Sequence, residues 1–200
     1  MLARAIESSI ALDVPFRGGR DYIHSTDLFA ALDALAGKFL APRAYLKNLT
    51  LRRQAHRQVA AHFLPRPDAF GSFALALPHQ ALEGWLVESS APITRRIAFD
   101  ETAILRAAVS EPGRIFLPAP VEGFNGFEQM IVLFKMLCAQ IHPGAWLFTG
   151  IDLDRSLGGK ASLAVSHTQT VLGRLVDANL DQDGETVGRV RMVLAAGGRR

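Results

Sequence analysis

A single cysteine, Cys138, stands in a chain of 200 residues. One thiol cannot staple the chain, so no disulfide framework is implied and a cytoplasmic setting is favoured. The thiol lies among Met136, Leu137 and Ile141, with His142 one helical turn on. These apolar neighbours predict a buried structural thiol, not a nucleophile. An excess of one charge is missing as well: 22 Lys and Arg face 19 Asp and Glu, and the net charge is +3 with histidines neutral. The basic residues are dispersed through "LRRQAHRQ", "ITRRIAF" and the terminal "GGRR", with no aromatic series between them. That argues against a nucleic-acid partner.

Long hydrophobic runs are missing too. The longest, "MIVLFKMLCAQI", is interrupted by Lys135 and is too short to span a bilayer. The opening "MLARAIESSIALDVPF" carries Glu7 and Asp13 and has no continuous apolar core, so it does not read as a signal peptide. His56, His62, His79 and His167 are scattered without Cys/His spacing, and no metal site is expected. "SLGGK" (156–160) has glycines and a lysine but not the rest of a phosphate-binding loop, so it reads as a strand connection.

What is present is an ordinary folded composition, 49% hydrophobic and 20% charged, in a chain long enough for one large core or two packed ones. In "DYIHSTDLFAALDALAG" a helix is predicted over 26–39, with Leu28, Leu32, Leu35 and Phe39 at helical spacing, Ser25 or Thr26 as cap and Pro42 as stop. "AYLKNLTLRR", "QVAAHFL", "GSFALAL" and "GWLVESS" read as extended, bounded by Gly and Pro. A division is expected near "SSAPITRR", giving units 1–92 and 93–200 in one compact pseudo-dimeric domain. Beyond it, "RRIAF" and "GRIFLPAP" are strand-like, and "NGFEQMIVLFKMLCAQIHPG" is a strong helix opened by Asn125 or Gly126. "AWLFTGIDLD", "ASLAVSHTQTVLGRLVDANL" and "TVGRVRMVLAA" follow as strands, the last two joined by an Asp183-Gly184 hairpin turn.

The second helix is apolar over nearly its whole circumference, which predicts burial on most sides, with the antiparallel strands after it curved around it. The halves also repeat faintly. Superposing "IHSTDLFAAL" on "FNGFEQMIVL" sets His24 on Asn125 and Asp27 on Glu128, both at an offset of 101.

A helix followed by antiparallel strands, twice in one chain, resembles the double hotdog of the acyl-thioester superfamily, an α+β fold shared by thioesterases and dehydratases. "EGFNGFEQMIVLFKML" is similar to the thioesterase segment with Asn before the helix and an acid in its first turn. "GRLVDANLDQDGETVGRVRMVLAA" looks like the paired terminal strands of such domains. The dehydratase signatures are absent: His24 is followed by "STDLFAAL" without the expected glycine, and Val132 stands four residues after Glu128 where Gln or His is usual.

The resemblance therefore implies a class of chemistry: an acyl-thioester substrate carried by coenzyme A or an acyl carrier protein, with no further cofactor, in a chain for which a homodimer is conceivable. Helix starts can polarise a thioester carbonyl while a carboxylate or histidine moves a proton. His24, Asp27, Asn125 and Glu128 are the candidate catalytic residues. In hydrolysis, slightly preferred, Glu128 or Asp27 activates water and Asn125 orients it. In dehydration, His24 takes the α-proton and Glu128 protonates the leaving hydroxyl, which requires the two on either side of one tunnel. A non-catalytic acyl-binding or structural protein is the third alternative. Asn125 with Glu128 also matches a capping box, and Asp27 suits a helix first turn without any chemistry. Arg52, Arg53 and Arg57 could meet carrier phosphates, but read more simply as a solvated strand face.

Overall fold

The computed structural model describes residues 9–39, 43–158 and 161–195. Pro42, the expected stop of the first helix, lies outside the described residues, as do Gly159 and Lys160, the Phe39 side chain and the terminal "GGRR". The chain divides into two compact units, one reaching Phe99 and the other starting at Asp100. The seam expected at 92/93 falls short of this. Strand β7 (Arg96–Ile97) pairs in parallel with β2 (Phe16–Arg17), and that pairing holds residues 93–99 to the first unit.

The first unit continues with β1 (Ile10–Leu12), helix α1 (Ser25–Phe39), β3 (Tyr45–Leu51), β4 (Val59–His62), β5 (Gly71–Ala76) and β6 (Ala81–Glu88). Its antiparallel sheet runs β1-β4-β6-β5-β3. Buried residues alternate along β5 at Gly71, Phe73 and Leu75, the period of two that places one face on a core. Leu28, Phe29, Leu32, Leu35 and Ala36 form the buried stripe of α1. The helix packs on β3 and is tied to it where Asp33 accepts the Leu46 amide at 3.1 Å.

Helix α1 starts one residue before the predicted start. The His24 carbonyl accepts the amides of Asp27 at 3.0 Å and Leu28 at 3.4 Å, so Ser25 and Thr26 sit inside the first turn and not at the cap.

The second unit comprises α2 (Thr102–Ala107), β8 (Val109–Glu111), β9 (Arg114–Leu117), α3 (Gly126–Ile141), β10 (Trp146–Leu153), β11 (Leu163–Val171), β12 (Leu175–Gln182) and β13 (Glu185–Leu194). Its sheet order is β8-β9-β11-β12-β13-β10, antiparallel throughout. As its sequence requires, α3 is buried on most sides: Phe127, Met130 through Phe134, Leu137 and Cys138 are all inaccessible, and the helix packs against β9 and β11. The short α2, which the sequence reading lacks, lies against α3. It buries Ile104, and Glu101 at its start accepts Lys135 Nζ at 2.8 Å. That ion pair lets a lysine interrupt an otherwise apolar helix.

The stretch 161–180, expected as extended, folds back on itself. Leu172 and Gly173 take φ of +51° and +67° in a three-residue turn between β11 and β12. The Asp183-Gly184 turn forms where expected, with φ of +53° and +82°, the left-handed pair that suits a two-residue hairpin.

Both units follow a helix-then-strands plan, but the strand order differs. After the helix, the second unit makes two successive hairpins, β11–β12 and β12–β13. In the first unit β6 lies between β4 and β5, so only β5–β6 is a hairpin of neighbours. No helix among the described residues is long and apolar enough to cross a membrane.

Candidate functional site

Each helix start gathers its own set of polar side chains. In the first unit the chain approaches α1 through "FRGGRDYIH", with β2 contributing Arg17. The Arg17 guanidinium lies across Asp27: Nε donates to Oδ2 at 2.7 Å and Nη2 to Oδ1 at 2.8 Å. Both side chains are about nine-tenths buried, at 10% and 8% exposed. Asp27 sits in the first turn, where the helix dipole favours a negative charge, but both of its oxygens accept from Arg17. It is an ion-pair partner buried with its counter-ion, not the simple first-turn acid of the sequence reading.

His24, at the residue before α1, is buried too. Its Nδ1 is hydrogen bonded with Thr26 Oγ1 at 2.7 Å, and its ring packs on Phe99 with centroids 5.2 Å apart. Phe99 is a hub: the guanidinium carbons of Arg17 and Arg20 stand 5.2 and 4.8 Å from the same ring centroid. A ring face of this kind is attractive to cations, and to a histidine once it is charged. Seven polar or charged side chains are buried among the described residues, and four of them, Arg17, His24, Thr26 and Asp27, meet here. Burying charge is costly, so such a concentration in one corner calls for a reason.

A neighbouring loop closes on this corner. Ile23 donates its amide to the Ala55 carbonyl at 2.8 Å, and His56 Nδ1 is hydrogen bonded with the Asp21 carbonyl at 2.7 Å. Residues 52–57 are thus a loop beyond β3, not the strand face expected for Arg52, Arg53 and Arg57. Glu88 organises it by accepting the amides of His56 at 2.5 Å and Arg57 at 3.2 Å and the guanidinium of Arg53. The His56 amide and the Arg53 side chain hold the Glu88 carboxyl below its usual pKa, against the opposing effect of burial.

At the start of α3 the second pair forms a capping box. Asn125 Oδ1 accepts the Glu128 amide at 2.9 Å, and Glu128 Oε2 accepts the Asn125 amide at 3.0 Å. Glu128 is buried while Asn125 is exposed. Gln129, fully buried beside it, clamps the lead-in: it accepts the Val121 amide at 2.8 Å and donates to the Phe124 carbonyl at 3.0 Å. Gly158 of "SLGGK" passes over this helix start, and a Cβ on Gly126 would come within 3.0 Å of its carbonyl.

The structure thus brings His24 together with Asp27 in the first unit and Asn125 with Glu128 in the second. Sequence reasoning missed Arg17, Arg20, Phe99 and Gln129. The Arg-Gly-Gly-Arg stretch at 17–20, before the first helix, was the available signal for two of them. Cys138 is buried, and burial pushes its thiol up to about 12, which keeps it protonated and unreactive at neutral pH.

No family model and no curated protein matches this chain. Solved structures do. GphF Dehydratase 1 is similar at a TM-score of 0.50 and 9% identity, over 94% of this chain and 93% of that one. The 12:0-ACP thioesterase from Umbellularia californica gives 0.47 and 9%, over 93% and 96%. The dehydratase-cyclase domain of ambruticin biosynthesis gives 0.46 and 13%, over 88% and 83%. At such identities the likeness speaks for the fold alone. The helix-then-antiparallel-sheet plan of each unit and the likeness to GphF Dehydratase 1 give the same result: the chain has an α+β hotdog fold.

Proposed function

We propose that this protein binds an acyl group as its thioester and hydrolyses it, with the start of α1 as the reacting end of the site. The observation that carries the reading is the buried cluster of His24, Thr26, Asp27 and Arg17 on a fold used for acyl thioesters. The amides of Ser25 and Thr26 belong to the first turn, which has no intrahelical acceptor for them, so they and the positive helix end favour an oxyanion. His24, oriented by Thr26 and Phe99, takes a proton from water as it attacks the thioester carbon. The carbon–sulfur bond then breaks, and the thiolate leaves with that proton as a thiol. Asp27 with Arg17 is a positioning pair that fixes the turn from which His24 projects. Hydrolysis needs only water, so no further cofactor enters. The acyl carrier is coenzyme A or a carrier protein, and the setting is the cytoplasm.

Dehydration of a 3-hydroxyacyl thioester is a second reading, favoured by one observation: Glu128 is buried, though a capping carboxylate does its work equally well at the surface. A buried acid is suited to protonating a leaving hydroxyl. The products separate the two. Saturated acyl-CoA and 3-hydroxyacyl-CoA are offered to the wild type, H24Q and E128Q. Hydrolysis releases free thiol from both substrates and is lost in H24Q. Dehydration yields an enoyl thioester from the hydroxyacyl substrate alone and is lost in E128Q. An acyl-binding protein without activity turns over neither.

A further inference from the structure

The net positive charge lies in the first half of the chain. Residues 1–99 hold 12 Lys and Arg against 8 Asp and Glu, and residues 100–200 hold 10 against 11. Four described arginines of the first unit are paired with a carboxylate: Arg17 with Asp27, Arg53 with Glu88, Arg66 with Asp68 and Arg95 with Asp13. Among the described residues, Arg20, Arg43, Arg52, Arg57 and Arg96 make no ion pair with a carboxylate; of these, Arg20 shares the Phe99 ring with His24. Arg96 donates to the carbonyls of Gly18 and Arg20 and lies over Phe16 at 5.2 Å, so it serves the turn that presents Arg20. Arg20 itself is half-buried, with its guanidinium over Phe99.

We infer that Arg20 binds an anionic group on the acyl chain, so that the preferred substrate is an acyl thioester with a carboxylate at its far end. This rests on the acyl-thioester reading above. The guanidinium is supported by the ring from one side, and its N–H groups radiate in its own plane, the fork that a carboxylate meets with two hydrogen bonds. Distance decides which anion it reads. The His24 ring and the Arg20 guanidinium stand 5.2 and 4.8 Å from one centroid and so are at most 10 Å apart. The pantetheine arm puts a carrier's phosphate many bonds beyond the thioester sulfur, too far to meet Arg20 while the carbonyl faces His24. A short dicarboxylic acyl group spans that distance. Arg17 is already committed to a carboxylate, with Nε and Nη2 on Asp27.

The test compares glutaryl-CoA with pentanoyl-CoA, which share a carrier and a chain length and differ in the terminal carboxylate. Wild type should favour glutaryl-CoA in kcat/KM by about tenfold to a hundredfold, the size of one charge-assisted pair. That ratio should collapse in R20M, be partly kept in R20K and be unchanged in R66Q, which alters an arginine paired on an exposed loop. Free glutarate, followed by calorimetry, gives a readout that needs no turnover: it should bind wild type and H24Q and be lost from R20M. Glutarate binding lost in R20M without any thioester turnover would sink the hydrolase reading and leave Arg20's role standing. Turnover without a carboxylate preference, or a preference that survives in R20M, overturns the inference.

Discussion

Arg17 binds both oxygens of Asp27, at 2.7 and 2.8 Å, with both side chains nine-tenths out of water. The pair stitches the lead-in strand β2 to the first turn of α1, ten residues on. Removing one partner leaves a buried charge without its counter-ion, at a cost of about 3–5 kcal/mol. R17M and D27N are each expected to lower urea-unfolding stability by that order. The double variant R17M/D27N should lose less than the two singles combined, since no orphan charge remains. Additive losses would mean that the pair contributes nothing as a pair.

Glu128 can be tested apart from its cap. A capping box accepts Gln at the position of Glu, so E128Q should unfold within a few tenths of a kcal/mol of wild type, whereas N125A should lose about 1 kcal/mol. Any loss of activity in E128Q then reports chemistry and not a frayed helix. Thermal unfolding and turnover measured on the same samples check this.

The Asp177 carboxylate on β12 is held below its usual pKa chiefly by the Arg191 side chain, with Gln169 donating as well at 2.6 Å. A carboxyl depressed in the folded state stabilises above its unfolded pKa, and this contribution fades as pH falls through the folded value. The stability gap between wild type and D177N should therefore be full at neutral pH and shrink below about pH 4. A gap that grows on acidification contradicts the assignment.

Gly84 on β6 lies directly beneath Phe73 on β5, and a Cβ there would fall 2.1 Å from the ring. G84A is expected to cost about 1–3 kcal/mol by overpacking, and F73L, which removes the ring edge, should make the same alanine cheaper. Chemical denaturation of the four-member cycle gives the coupling directly.

Cys138, pushed up to about 12 within α3, should resist thiol reagents at pH 8 in the native protein and react quickly once the chain is unfolded in urea. Fast labelling without denaturant would show that α3 opens readily.

Helix α3 and the strands after it were legible in the sequence because their signals are local. An all-apolar helix must be buried, and Asp183-Gly184 must turn. The seam near residue 99 was not, since the parallel pairing of Phe16–Arg17 with Arg96–Ile97 joins segments about eighty residues apart. The hairpin at Leu172-Gly173 was hidden because the first of its two left-handed positions is a leucine, 92% exposed, which left Gly173 as the one local turn signal. At the site, His24, Asp27, Asn125 and Glu128 stood out because they flank helix starts. Arg17, Arg20 and Phe99 did not, because only the folded chain carries them to the same ring.

The proton transfer proposed for His24 in acyl-thioester hydrolysis can be measured in isolation. The most direct measurement is thiol release from an acyl-CoA series by wild type and H24Q, with folding of both confirmed by thermal unfolding. Wild type is expected to hydrolyse the thioester and a folded H24Q to lose about 10²–10⁴-fold in kcat, the usual contribution of one general base. Equal rates for the two proteins, or no turnover of any acyl thioester by wild type, would contradict it.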